Sequence, residues 1–240
     1  MDLTDRQIKI VKAIVEEYSN TGDPVGSQTL DKKYQLGVSP ATIRNEMSEL
    51  MDKGLLVKPH TSAGRIPTSI AIKFYVNQLL KEKELSVAEE VAIKERIWDH
   101  RYEPQELLSE ATKVLSERTK SLSLAATENG RTYHAGYSFL LNEPEFYDID
   151  LFRQILMILD EQDRILNMFD RAVGQDPIHL LLGEELGHSQ LQPVGCVFAD
   201  IQIGSTRGSI GILSANRQPY DQNIPLVRYI ANLVNQIAQS

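Results

Sequence analysis

The chain has 240 residues, enough for one large domain or two ordinary ones, with 42% hydrophobic and 24% charged residues as in a globular protein. No apolar run approaches the ~18 residues of a membrane span, and the N-terminus MDLTDRQIKIVK lacks the basic start and apolar core of a secretory leader. Cys196 is the single cysteine, which excludes an intrachain disulfide and a thiolate metal cluster, so a cytoplasmic protein with no membrane partner is expected.

The net charge of −8 hides an asymmetry. Residues 1–80 carry ten Lys/Arg and nine Asp/Glu, whereas 81–240 carry fifteen and twenty-four. From Lys32 to Lys73, seven basic residues (Lys32, Lys33, Arg44, Lys53, Lys58, Arg65, Lys73) stand against Glu46, Glu49 and Asp52. Such a patch is either a phosphate footprint or a solvated face, and charge alone does not choose between them.

Thr4-Asp5-Arg6-Gln7 fits a capping box that opens a first helix. Ile8, Val11, Ile14, Val15 and Tyr18 give it one apolar stripe, and Gly22-Asp23-Pro24 ends it. Ser27 is the expected cap of a short second helix through Tyr34, closed by Gly37. Ser39-Pro40 opens a third, with Ile43, Met47, Leu50 and Met51 as its buried face. Ala41, Thr42 and Asn45 then point outward near its start, a methyl, a hydroxyl and an amide that suit base edges in a major groove. Arg44 suits a backbone phosphate, while Glu49 and Asp52 must point away from any DNA. Leu55 to Lys58 reads as a strand, and Pro59 to Pro67 as a hairpin with Arg65 at its exposed tip. Thr68 caps a helix carrying Ile70, Phe74, Tyr75, Leu79 and Leu80. Three helices and a hairpin make a winged helix-turn-helix, against the blander reading of a small helical domain whose third helix is merely packed. The candidate DNA-contacting set is Ser39, Ala41, Thr42, Arg44, Asn45, Lys58, His60, Thr61, Ser62 and Arg65.

Ser86 to Glu89 is a second capping box, starting a linker helix to about Trp98 within 81–103. From Pro104 the pattern changes. Leu107, Leu108, Ala111, Val114 and Leu115 mark a helix, and Asn129-Gly130 is a two-residue turn between strands at 121–127 and 132–140. Asp148 or Asp150 caps a helix with Leu151, Ile155, Ile158 and Leu159, followed by a segment at 165–173. Strands at 178–182, 194–203 and 209–213 and a last helix at 225–238 complete an α+β domain of about five antiparallel strands.

LTDRQ (3–7), TGDPVGSQTL (21–30), VSPATIRNEM (38–47) and above all PHTSAGRIPT (59–68) resemble the bacterial heat-inducible transcription repressor family, usually called HrcA. GYSFLLNEPEF (136–146), LGEE (182–185) and GSIGILSANRQPY (208–220) extend the resemblance. It implies a winged-helix domain at 1–80 and a GAF-like regulatory or dimerisation domain at 104–240. It further implies a homodimer on an inverted-repeat double-stranded DNA operator of chaperone genes, and a chaperonin as co-regulator. The chain is roughly a hundred residues shorter than is usual for the family, whose GAF-like domain holds an inserted dimerising segment; Asn129-Gly130 stands at the corresponding place. The family's Gly-Tyr-Arg after the wing is Ala71-Ile72-Lys73 here, and of its Gly-Pro-x-Arg-Met-x-Tyr only Arg217 and Tyr220 remain.

Other chemistry is weakly signalled. The histidines (60, 100, 134, 179, 188) lie scattered, so no metal site is expected. Neither a P-loop nor a Gly-x-Ser-x-Gly elbow is present, so neither a cofactor nor a catalytic residue is expected. Glu184-Glu185 with His188 reads better as a solvated loop than as an acid–base site, and Gly204 to Gly208 equally as a turn or an anion cradle. Two rival functions stay open: a transcription factor whose C-terminal domain senses a small molecule, and an enzyme with a DNA-targeting head.

Overall fold

A computed structural model describes residues 2–61, 63–172 and 176–239. The chain is a mixed α+β protein in two compact units, one holding 1–81 with 217–219 and the other 82–216 with 220–240.

The first unit runs α1 (Asp5–Thr21), α2 (Ser27–Tyr34), α3 (Pro40–Asp52), β1 (Leu56–Val57), β2 (Ile66–Pro67) and α4 (Ser69–Gln78). Thr4 and Gln7 form the anticipated capping box, and Gly22 closes α1 in the left-handed conformation. Ile10, Val11, Ile14 and Val15 are fully buried, with Leu30 of α2 and Ile43 and Leu50 of α3. Ile8 and Tyr18, placed on the expected stripe, are only half-buried. Ser27 is the first residue of α2 rather than its cap: Gly26 holds the cap position and no side chain bonds there. β1 and β2 pair antiparallel, Leu56 with Pro67 and Val57 with Ile66. The Thr68 hydroxyl accepts from Ala71 N–H and donates to Gly54 O at 2.8 Å, so one side chain starts α4 and pins it to the end of α3. On α4, Ala71, Ile72 and Tyr75 turn inward, whereas Ile70 is exposed.

The second unit runs α5 (Val87–Trp98), α6 (Pro104–Thr119), β3 (Leu122–Thr127), β4 (Arg131–Ala135), α7 (Tyr137–Leu140), α8 (Ile149–Asp160), α9 (Gln162–Phe169), β5 (Ile178–Leu182), β6 (Val194–Ile203), β7 (Thr206–Ala215) and α10 (Tyr220–Ile237). Five strands form one antiparallel sheet in the order β4-β3-β7-β6-β5. All of β3 is buried because helices cover both of its faces. Alternation decides which residue meets which layer. Leu122, Leu124, Cys196, Phe198 and Leu213 join Ile155, Ile165 and Phe169 of α8 and α9. Ala125, Val197, Ile210 and Ile212 line the other face, where α6 and α10 pack.

Three local readings change. The strand expected to reach residue 140 stops at Ala135, because Gly136 takes φ 88° and a Cβ there would lie 1.9 Å from Ser116 Oγ. The last helix starts at Tyr220, not Pro225, which sits in its second turn. Proline cannot donate to the carbonyl four residues back; that carbonyl, Asp221 O, accepts instead from Lys83 N–H at 2.8 Å. The helix in 81–103 buries Ile93 and Ile97 fully and packs on α6 and α10, so it belongs to the body of the second unit. Of the segment expected at 165–173, Val173 lies outside the described residues.

Cys196 is fully buried in β6, and burial pushes its thiol far above the ordinary cysteine range. A raised pKa keeps it protonated where a free thiol is half ionised, about pH 8.5. The folded protein is therefore expected not to react with a disulfide reagent at that pH, with one thiol per chain titrating once denaturant is added. Rapid labelling of the native protein would contradict the burial.

Candidate nucleic-acid interface

The N-terminal half of α3 and the loop between β1 and β2 are the exposed polar surface of the first unit that carries the sequence candidates. Ser39 caps α3: its Oγ accepts from Thr42 N–H at 3.2 Å and lies 3.0 Å from Thr42 Oγ1. Thr42 is half-buried and its hydroxyl is engaged, while Ser39, Ala41, Arg44 and Asn45 are exposed. These residues sit beside the positive end of the helix dipole, which favours anions there.

The acidic residues of α3 are turned to another use. Gln7, 2% exposed, donates through its amide to Glu46 at 3.1 Å and Glu49 at 2.9 Å. Its oxygen accepts from Lys53 Nζ at 2.9 Å, and Arg6 pairs with Glu46 at 3.0 Å. Both carboxylates are thereby held toward α1, leaving the exposed start of α3 without a carboxylate on its outward turn. Reading Gln7 only as a cap partner missed this hub; Glu46, Glu49 and Lys53 at helical spacing on α3 are its only trace in the sequence.

The loop after β1 presents Lys58, His60 and Thr61 to solvent, closed by Ala63 N–H to His60 O at 3.0 Å. Ser62 lies outside the described residues. Arg65 is not at the tip. Its backbone pairs in both directions with Val25, N–H to O at 2.8 Å each way, so it stands at the base of the loop, half-buried. Its Nη1 reaches Ala63 O at 3.3 Å, while Nε is buried with no hydrogen-bond partner among the described residues. Gly64 makes the pairing possible: a Cβ there would lie 2.5 Å from the Val25 carbonyl. Two segments far apart in sequence, TGDPVG and SAGRIP, are thus the two sides of one backbone junction. Val25, 2% exposed, carries that junction, and an isolated apolar residue between Pro24 and Gly26 was its only sequence signal.

In the second unit, an open cleft of about 450 Å³ is lined by Glu128, Asp170, Asp200, Gln202, Arg207 and Asn235 among others. Its polar groups largely bond one another: Gln202 N–H donates to Asn235 Oδ1 at 2.7 Å and Ser209 Oγ to Asp200 at 3.2 Å. No cluster of three or more His, Cys, Asp or Glu able to hold a metal occurs among the described residues. Among them, too, no helix is long and apolar enough to cross a membrane.

Fold and surface together define a two-unit α+β protein whose helical unit offers a polar helix start next to a basic hairpin. Residues 65–224, well over half of the chain, match the family described as HrcA protein C terminal domain, and the chain belongs to that family. A relative from Moorella thermoacetica, named heat-inducible transcription repressor HrcA, is 25% identical with 98% of each chain covered. That alignment runs to 338 positions, more than the 240 residues here, so the relative carries stretches with no counterpart in this chain. A Clostridium perfringens protein of the same name is 48% identical over 119 residues, 49% of this chain and 35% of the relative. The fold also matches a crystal structure described as a hypothetical protein, with a TM-score of 0.79, 20% identity and 98% of both chains covered.

Proposed function

We propose that this chain is a DNA-binding transcription repressor of heat-shock genes, with a winged helix-turn-helix domain at 1–80 and a GAF-like regulatory domain in the second unit. α3 is the recognition helix, entering the major groove by its N-terminal half, and the β1–β2 hairpin is the wing. The observation that carries this reading is the arrangement of α3 itself: Ala41, Arg44 and Asn45 face outward while Glu46 and Glu49 are tied back to Gln7. Asn45 and Ala41 read base edges, with Thr42 at the shoulder; Ser39, Arg44, Lys58, His60, Thr61 and Ser62 meet phosphate, and Arg65 serves from the base of the wing. Two copies on an inverted repeat, helped by a chaperonin, complete the reading; the family resemblance, not the geometry, supports those parts.

A salt-titrated binding assay on an inverted-repeat operator tests it. Asn45→Ala is expected to relax preference at one base position by about 1–3 kcal/mol, whereas Lys58→Ala weakens all sequences alike and lowers the salt slope by about one. Unchanged binding in both variants would remove the assignment of α3 and the hairpin.

A further inference from the structure

α5 presents a face that the second unit leaves in solvent. Its inner side is Ile93 and Ile97, and Arg96 clamps it to α6 through Glu110 and Glu117, both within 2.6 Å. On the outer side Val87 is 76% exposed, Val91 48% and Trp98 39%, and Tyr102 in the following turn is 81% exposed. At about 100° per residue, Val87, Val91, Lys94 and Trp98 fall within about 60° of one another. Single exposed apolar residues need no explanation, but a row of them on a firmly held helix does. Lys94 Nζ and the Arg101 guanidinium cover the Trp98 ring at 5.8 and 5.4 Å, and a shallow groove follows Val91, Lys94, Glu95, Trp98 and Asp99.

The order of these residues is complementary to its own reverse. Inversion about the midpoint between Lys94 and Glu95 carries Val87 onto Tyr102, Val91 onto Trp98 and Lys94 onto Glu95. Each β-branched residue thereby meets an aromatic ring, and four charges gather at the centre, two of each sign. Self-complementarity of this kind is what a two-fold, isologous contact requires and what a partner of unrelated sequence does not. We propose that the outer face of α5 is the interface with a second copy of this chain, packed antiparallel across a two-fold axis beside Lys94 and Glu95. The inference rests on the dimeric reading above and gives that dimer a surface in a chain that lacks stretches its relatives carry. A seam this short lies at the low end of interface sizes, so a weak, concentration-dependent association is expected.

Sedimentation of the intact chain over a concentration series, alone and on an inverted-repeat operator, tests it together with tryptophan emission. Trp98 is the only tryptophan, so its emission shifts to the blue as dimer forms. Lys94→Glu gathers four acidic groups at the axis and weakens association by about tenfold or more, and the double exchange Lys94→Glu with Glu95→Lys restores it. Val91→Glu abolishes it. All three positions are exposed, so the unchanged far-ultraviolet spectrum of each variant shows the fold intact. A wild-type dimer that every variant keeps overturns this interface and leaves the dimeric reading standing. A wild type that stays monomeric both alone and on the operator overturns both. Blue-shifted emission from a chain that sediments as a monomer means that another part of the same chain covers the face, and overturns the interface.

Discussion

Gly64→Val is expected to remove most of the operator affinity while destabilising the first unit by about 1–3 kcal/mol. The added Cβ would stand 2.5 Å from both the carbonyl carbon and oxygen of Val25 and 2.7 Å from Pro24 O. All of these are backbone atoms, so no side chain can rotate out of the way. The Val25–Arg65 bridge, 2.8 Å in both directions, must therefore open, and with it the base of the hairpin that carries Lys58, His60 and Thr61. α1, α2 and α3 keep their own core of Ile10, Ile14, Leu30, Ile43 and Leu50, so the unit stays folded near room temperature. Thermal unfolding by circular dichroism reads the first effect and the operator assay the second. Wild-type affinity in the folded variant would separate the hairpin from DNA binding.

A larger loss of stability is expected in the second unit from Phe198→Ala, about 3–5 kcal/mol. Phe198 is 1% exposed and stands 4.6 Å from the Phe169 ring and 4.9 Å from the His179 ring. Its register partner on β7 is Gly211, where an added Cβ would come within 2.4 Å of the Phe198 Cβ, so no side chain from that partner stands beside it. Alanine would leave a cavity bordered by the Phe169 and His179 rings. Because the cost falls on the core around α8 and α9, the unfolding transition of the second unit should move down by on the order of 10 °C. The transition of the first unit should stay in place, since its core shares no residue with this one. A single transition that moves as a whole would show the two units unfolding together.

Sequence periodicity and caps foretold the elements wherever local chemistry is decisive. Thr4, Ser39, Thr68, Ser86 and Asp148 all bond the early amides expected of them. The strand candidates at 178–182 and 194–203 are strands over those same residues. What local chemistry does not encode is where distant segments meet. The two prolines of 59–67 point to a hairpin with Arg65 at its tip, yet a backbone pairing with Val25, forty residues earlier, draws Arg65 in. The true start of α10 at Tyr220 is not legible locally, because the carbonyl that Pro225 leaves free is satisfied by Lys83, far away in the chain. Gln7 shows the same limit from the other side. Its capping role is a matter of three residues, whereas its hold on Glu46 and Glu49 depends on how α1 lies against α3. The PHTSAGRIPT motif was legible as a family mark, but its junction with TGDPVG was not.

The position of β3 sets an order on the birth of the sheet. Its partner on one side, β4, follows directly in the chain, but its partner on the other, β7, is joined by pairs such as Ser123 with Ile212. While the chain emerges from the ribosome, the β3–β4 hairpin therefore exists before the strand that will cover its inner edge. The waiting strand is apolar, with Leu122, Leu124, Ala125 and Ala126 among its six residues, so its unpaired backbone edge is prone to pairing with a neighbouring chain. Residues 1–81, the bulk of the first unit, precede β3 in the chain and can begin to fold during the same interval, whereas Arg217 to Pro219, which also belong to that unit, are made only after β7. Until β7 is made, both the sheet and the last segment of the first unit are incomplete, and it is in that interval, more than in the native state, that the chain would draw on chaperone protection.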